Sequence, residues 1–270
     1  MLPRRVSSIA EVETGMSEER IYEPLFVRNL FDEMSATYAT VNWVSSFGFC
    51  ERWRRQCVEQ VEMASGQVVV DLMTGMGELC PRIAARVGRR GRVVAIDYSP
   101  VMCRIARRRI AKHQNAKHRI KKLDQQDGAE CAIEITEADA LCSGIPSGSA
   151  DVVIASFGLK TFSREQIRLL AVEVKRILKP NGRFSFIEIS VPDARWLRIP
   201  YLFYLNHVIP VIGWIFMGNP DNYRMLGVYT RAFRDCGAAC DMFRDVGFEV
   251  EMRSFFWGCA TGLVGRKKPS

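Results

Sequence analysis

The 270 residues contain no Cys-x-x-Cys pair and only three histidines. They also contain no uninterrupted run of about twenty apolar residues. The first two absences leave a structural zinc site without ligands. Cys236 and Cys240 stand alone, with no second cysteine pair or paired histidine, so no metal is expected. The third excludes a bilayer crossing even at residues 199–217, where Pro200, Asn206, His207, Pro210 and Gly213 interrupt the apolar residues. Arg4 and Arg5 are followed by no apolar stretch, and Glu11, Glu13, Glu18 and Glu19 argue against an export or organelle address. Nine irregularly spaced cysteines then fit reduced thiols and a cytoplasmic location. Acidic residues are missing between Arg104 and Lys122, and the nine Lys/Arg there account for the net charge of +8. That run fits either a patch for an anionic partner or the solvated end of a helix and its loop.

Hydrophobic residues at 48% and charged residues at 25% describe a globular chain long enough to bury a full core. Residues 1–20 read as a mobile tail, and 21–270 as one domain. Apolar positions Leu25, Leu30, Phe31, Met34, Tyr38 and Val41 predict one helix over 23–43. Trp53, Cys57 and Val61 predict a second over 51–64. These N-terminal helices (21–64) are placed to cover one edge of the domain. Strands are then expected at 67–71, 92–97, 131–136, 151–156 and 183–190, with helices between them from about 77, 100 and 164. A polar, basic connection fills the span before residue 131. The alternation predicts an α/β fold: a mostly parallel sheet with helices on both faces. After Pro192 the pattern breaks into a hydrophobic insertion (193–231). A helix over 234–246 and strands at 248–256 and 260–266 close the chain.

The first strand ends in Asp71-Leu-Met-Thr-Gly-Met-Gly77-Glu-Leu, an acid followed by a glycine-bearing turn into a helix. Such turns let a ligand approach the backbone at the strands' carboxyl ends. Asp97 ends the second strand, where a carboxylate can accept from ribose hydroxyls. Together they predict an adenosine-type cofactor. A dinucleotide fold wants Gly-x-Gly-x-x-Gly with pyrophosphate on the helix N-terminus. Here Met73 and Thr74 replace earlier glycines, and Glu78 would repel a pyrophosphate. S-adenosylmethionine, a sulfonium without phosphate, fits better than NAD. The candidate cofactor residues are Asp71, Thr74, Gly75, Met76 and Gly77, then Asp97 and Tyr98, Asp139 and Ala140, and Ser156.

At these residues the chain resembles the UbiE-like C-methyltransferases of ubiquinone and menaquinone biosynthesis. The resemblance runs from about Val27 to Lys267. It is carried by Val27-Arg-Asn-Leu-Phe31, Ser46-Phe-Gly48, Asp71–Leu79, Asp97, Asp139-Ala140 and Ser156-Phe-Gly-Leu159. It continues through Arg176–Arg183, Glu188–Pro192, His207-Val-Ile-Pro210 and Asp221–Leu226. It implies a Rossmann-like seven-stranded sheet with an antiparallel last strand. It further implies cofactor contacts at the Gly75-Met76-Gly77 turn, at Asp97, at Asp139-Ala140 beside the adenine, and at Ser156. Four positions depart from the family: Lys160-Thr161 for its Arg-Asn, Ala39 for its Asp after Tyr38, and Met76 for its Thr. Lysine does not replace arginine's planar fork, so the acceptor itself can differ.

Methyl transfer needs an electron-rich acceptor held in line, shielded from water, with a group to take its proton. The candidate catalytic residues are His207, Tyr38 and Lys160. A hydrogen-bonded core histidine, a helix-packing tyrosine and a solvated lysine are the plainer alternatives. Eight aromatics in 195–231 suit a lipophilic acceptor or a membrane surface. The expected partner is a small lipophilic acceptor, a quinol, phenol or isoprenoid-type molecule. Peripheral membrane contact and a homodimer are further expectations. A base methylase is disfavoured because Ser156-Phe-Gly-Leu stands where Asn/Asp-Pro-Pro-Tyr/Phe would, so nucleic acid is not the expected partner. A methylase of another natural product and a non-catalytic cofactor-binding subunit remain as alternatives.

Overall fold

The computed structural model describes residues 17–123 and 131–268. Strands β1 (Val68–Leu72), β2 (Arg92–Asp97), β3 (Ala132–Glu137), β4 (Ala150–Ser156) and β5 (Leu178–Ile189) are parallel. β6 (Phe248–Phe255) pairs antiparallel with β7 (Ala260–Lys267), which pairs antiparallel with β5. The sheet order is β3-β2-β1-β4-β5-β7-β6. This is the expected mostly parallel, seven-stranded sheet with an antiparallel last strand. The chain walks outward from β1 through β3, then returns to lay β4 on the other side of β1. The tips of β1 and β4 therefore part at the topological switch point, where a ligand crevice forms.

Successive residues of one strand serve opposite cores. Val70 and Leu72 meet Val153, Phe184 and Phe186 beneath α7 (Arg164–Ile177) and α11 (Gly237–Asp245). Val69 joins Val93, Ala95, Val152 and Ile154 beneath α4 (Phe49–Glu59) and α5 (Cys80–Val87). Helix α7 starts with a capping box: Ser163 accepts from the Gln166 N–H, and the Gln166 side chain accepts from the Ser163 N–H.

The N-terminal helices cap the strand tips rather than cover an edge. The expected tail (1–20) lies mostly outside the described residues, and its end forms α1 (Glu18–Ile21). The expected single helix over 23–43 is two, α2 (Pro24–Met34) and α3 (Tyr38–Ser45). The chain turns between them at Thr37, whose hydroxyl bonds Tyr223 Oη at 2.7 Å. Apolar residues Ile21, Leu30, Met34 and Val41 bury against Tyr223, Val228 and Tyr229 of α10 (Pro220–Phe233). Asn222 donates to Glu33 at 2.8 Å across the same seam. The insertion is thereby half of the cap. It is helical almost throughout: α8 (Arg195–Phe203), a π-turn (Tyr204–Val208), α9 (Ile209–Ile215) and α10. Pro210 and Pro220 sit in first turns, where a missing N–H is harmless.

The helix expected to open at Pro100 does so, and it runs on as α6 (Pro100–Leu123) through much of the span expected to be a polar connection. Its Arg, Lys, Ala and Gln residues are good helix formers without an apolar partner. Arg104, Arg107, Arg108, Arg109 and Lys112 are exposed on it. All nine cysteines are free thiols, eight of them buried. Among the described residues no helix is long and apolar enough to cross a membrane.

Candidate active site

Two cavities meet under the cap. The first lies over the tips of β1, β2 and β4. Of the sequence candidates it gathers Thr74, Gly75, Asp97, Tyr98, Asp139, Ala140, Ser156 and Tyr38, with about 1010 Å³ of atom-free space including its mouth. Helix α2 roofs it with Val27, Arg28 and Phe31. The Ser99 hydroxyl donates to Asp32 and ties this roof to the β2 tip.

Asp97 is the best-prepared group. One carboxylate oxygen accepts the Gly75 N–H at 2.7 Å, and the other accepts the Ser99 N–H at 2.9 Å. Each oxygen retains a lone pair for a further donor, the geometry two ribose hydroxyls need. Burial pushes its carboxyl up to about 6, against the pull of those two backbone bonds; the nearby charges of Glu78 and Asp32 add to the rise. Asp139 accepts from the Leu141 N–H at 2.8 Å, which fixes its loop beside the cavity.

Asp71, Met76 and Gly77 lie behind the cavity, not in its wall. Asp71 is buried and accepts the Thr74 hydroxyl at 2.6 Å. Burial above all lifts its carboxyl to about 7, partly offset by the Thr74 bond and reinforced by Glu78 and Asp97. Met76 is buried, and its N–H donates to Glu78 at 3.1 Å. Gly77 has φ +73, and a Cβ there would come within 3.3 Å of Ala106 Cβ, so this glycine lets the turn approach α6. The three shape the turn whose Thr74 and Gly75 face the cavity.

The second cavity lies between α3, α4 and the insertion and holds about 1260 Å³ of atom-free space including its mouth. Its wall is aromatic and aliphatic: Phe49, Trp53, Leu197, Tyr201, Tyr204 and Ile209 among others. Lys160 is the one charged residue lining it among the described residues. That ammonium is buried and paired with the fully buried Glu188 of β5 at 2.6 Å. Tyr38 and Phe157 line both cavities, so the two spaces share one wall. Burial pushes the Tyr38 hydroxyl far up, only partly countered by Asn42 and the Arg54 charge. Tyr38 thus keeps its proton at neutral pH and can donate a hydrogen bond at the wall the two cavities share. His207 is in neither wall. It is exposed in the π-turn, stacked on Phe203 at 4.7 Å, with Nδ1 3.2 Å from the Phe203 carbonyl.

Sequence reasoning did not single out Arg54, Glu78, Phe157 or Thr161 as site residues, and all four line the first cavity. Arg54 faces Glu78 at 3.5 Å and lies over the Phe157 ring at 5.3 Å. One arginine in the run Trp53-Arg-Arg55 carries no signal that separates it from its neighbours. Phe157 and Met73 both have positive φ, 63° and 57°, at the tips of β4 and β1. Non-glycine residues accept such backbone strain mainly at functional sites. Gly158 permits it, since a Cβ there would lie 2.5 Å from Met73 Sδ.

The donor set fits S-adenosylmethionine: a carboxylate ready for a ribose, a small-residue turn, the Asp139-Ala140 loop, and Glu78 with no phosphate to repel. Comparison with known proteins agrees. The family model described as the ubiE/COQ5 methyltransferase family matches residues 14–267. The ubiquinone/menaquinone biosynthesis C-methyltransferase UbiE of Hydrogenovibrio crunogenus is 30% identical over 239 residues, 88% of each chain. The demethylmenaquinone methyltransferase of Thermus thermophilus is 30% identical over 236 residues, 87% of this chain and 99% of that one. Magnesium protoporphyrin IX methyltransferase from Synechocystis PCC 6803, solved with bound SAH, superposes with a TM-score of 0.55. It is 16% identical and covers 91% of this chain and 99% of that one, a likeness of fold. The chain therefore belongs to the ubiE/COQ5 methyltransferase family and is a methyltransferase with S-adenosylmethionine as its methyl donor.

Proposed function

We propose that this enzyme methylates a ring carbon of a small lipophilic quinol or phenol, working in the cytoplasm on a substrate drawn from a membrane. The observation that carries the reading is the apolar second cavity, joined to the cofactor cavity at Tyr38 and Phe157 and holding one buried cation, Lys160. The bound cofactor supplies an electrophilic methyl group on a sulfonium. The protein's part is to bring an electron-rich carbon to it without water. Aromatic walls suit a flat ring and an apolar tail. Lys160 can donate to a ring oxygen and favour its anionic form, which enriches the ring carbons beside it. Glu188 holds the ammonium in place, and Tyr38 offers a second donor at the shared wall. The names of the UbiE and demethylmenaquinone relatives support a quinol acceptor. Lys160-Thr161, which replaces the family's Arg-Asn, favours a second reading, another phenolic natural product methylated at carbon, oxygen or nitrogen.

The test is incubation of purified protein with methyl-labelled cofactor and reduced prenylated quinols in detergent micelles, followed by location of the methyl group by NMR. A methyl on a ring carbon is the expected result. A methyl on oxygen or nitrogen would replace the ring-carbon reading. No product from quinols or from a lipid extract, with cofactor still bound, would make the chain a non-catalytic cofactor-binding subunit. In an active enzyme, Lys160→Met should cut kcat by roughly a hundredfold while cofactor affinity holds.

A further inference from the structure

We propose that the exposed aromatic face around the mouth of the second cavity docks on an anionic lipid bilayer. The proposal rests on the acceptor reading above for its biological sense, and on the surface itself for its physics. Four of the five tryptophans are largely exposed: Trp43, Trp196 and Trp214 at 68% each, and Trp257 at 65%. The fifth, Trp53, is buried. Ile199, Phe203, Val211, Ile215 and Met217 are exposed with them. A soluble surface normally scatters such residues singly, and a contiguous patch marks an interaction site.

The patch is continuous across three segments distant in sequence. Trp196 of α8 meets Trp257 of the β6–β7 turn edge-on at 6.1 Å, and Trp257 meets Phe256 at 5.0 Å. Phe47, after α3, meets Tyr204 of the π-turn at 6.3 Å. Helices α3 and α9 pack together, which places Trp43 and Trp214 on neighbouring elements. Phe47 and Phe256 are exposed and also line the second cavity, so its mouth opens within this face.

Charge selects the occupant. Residues 38–50 and 254–265 carry no charged side chain, and residues 194–220 carry Arg195, Arg198 and His207 but no acid. Asp193 stands just outside this stretch, 3.9 Å from Arg198. Arg195 is exposed and makes no ion pair among the described residues. Tryptophan belongs at the headgroup level, and cations beside it favour anionic lipid. A second copy on this face would set the unpaired Arg195 against its own like, with Asp193 already beside Arg198, and would stopper the cavity mouth. A bilayer does neither, and it holds lipophilic molecules at the opening.

The experiment uses the full chain with vesicles of phosphatidylcholine containing about one-third phosphatidylglycerol. We expect co-flotation, a blue shift of tryptophan emission and quenching by brominated lipid; Trp53 is already buried, so the change reports the exposed four. The triple variant Trp196→Ser, Trp214→Ser, Trp257→Ser touches neither cavity wall. It should lose roughly tenfold or more of the vesicle-bound fraction, with cofactor affinity and micellar turnover unchanged. Arg195→Glu should weaken binding to anionic vesicles and leave neutral ones unaffected. No flotation of the wild type, or undiminished flotation of the triple variant, overturns the proposal. So does a dimer that the triple variant splits. Flotation that depends on these tryptophans, with no methylation of any quinol in micelles, would leave the docking face standing and remove the acceptor reading instead.

Discussion

Asp97 builds the cavity it lines. Its two carboxylate oxygens hold Gly75 and Ser99, so the β1 and β2 tips are already in register before a ligand arrives. That order is set against a buried charge, and the carboxyl rises to about 6 chiefly through burial. A carboxylate that accepts two ribose hydroxyls must be ionised, and those donors stabilise the anion, so the bound state holds its proton less tightly than the free state. Cofactor affinity should therefore be level above about pH 7 and fall as pH drops through about 6, with at most one proton taken up per site vacated. Asp97→Asn should lower affinity at pH 8 by roughly ten- to a hundredfold and remove the acid limb. Titration calorimetry from pH 5 to pH 8 checks both; wild-type affinity that stays level to pH 5 would mean the ribose is held elsewhere. Asp71 shows why an acid at a strand tip is an ambiguous sign in sequence. It is the same residue type near a strand end, yet its partner is Thr74 and it is not part of the cavity wall.

At the scale of elements, Gln166 joins three structures. Its side chain closes the capping box of α7, donates to the Tyr22 carbonyl at 3.1 Å and lines the cofactor cavity. Gln166→Ala should cost about 1–2 kcal/mol in urea unfolding and weaken cofactor binding severalfold. Gln166→Glu can still accept from Ser163 but sets a carboxylate against the Tyr22 carbonyl. It should keep most of the stability and lose the affinity, and an unchanged dissociation constant would show that the tether does not hold the roof. Tethers of this kind explain what the sequence could and could not disclose. Runs such as Val68–Leu72 and Arg92–Asp97 are legible because β-branched residues bounded by turn signals have few other uses. The small-residue turn and Asp97 are legible because both lie at strand tips within one unit. The start of α6 is legible at Pro100, but its full length is not, because the basic run from Arg104 to Lys122 reads equally as a loop. The cap was hidden because its prolines look like breakers, whereas Pro210 and Pro220 sit in helix first turns. The shared wall could not be read at all: Tyr38 and Phe157 are far apart in sequence and come together only in the fold, as linings of both cavities. His207 fits a base by residue type, and only the fold shows it exposed on the π-turn, outside the walls of both cavities.

For the whole molecule, the sheet is a fixed floor and the cap a separate body with its own small core. Ile21, Leu30, Met34 and Val41 on the N-terminal side close against Tyr223, Val228 and Tyr229 on the insertion side. The N-terminal half roofs the first cavity through α2, while the insertion half walls the second, and Tyr38 lines both. A ligand that presses α2 into place therefore steadies α10 through that seam, and with it the acceptor cavity, although no atom of the cofactor need touch the insertion. Coupling of this sort is carried by rigid packing between two bodies that open together. Cofactor or its demethylated product, at about a hundred times its dissociation constant, can slow exchange in a segment that must open for release by up to about a hundredfold. Amide hydrogen exchange should show that slowing in α1 to α3 and, more weakly, in α10. Strand β6, at the far edge of the sheet, should be unchanged. Protection that stops at α2, with α10 exchanging at its free rate, would mean the seam transmits nothing and the two cavities fill independently.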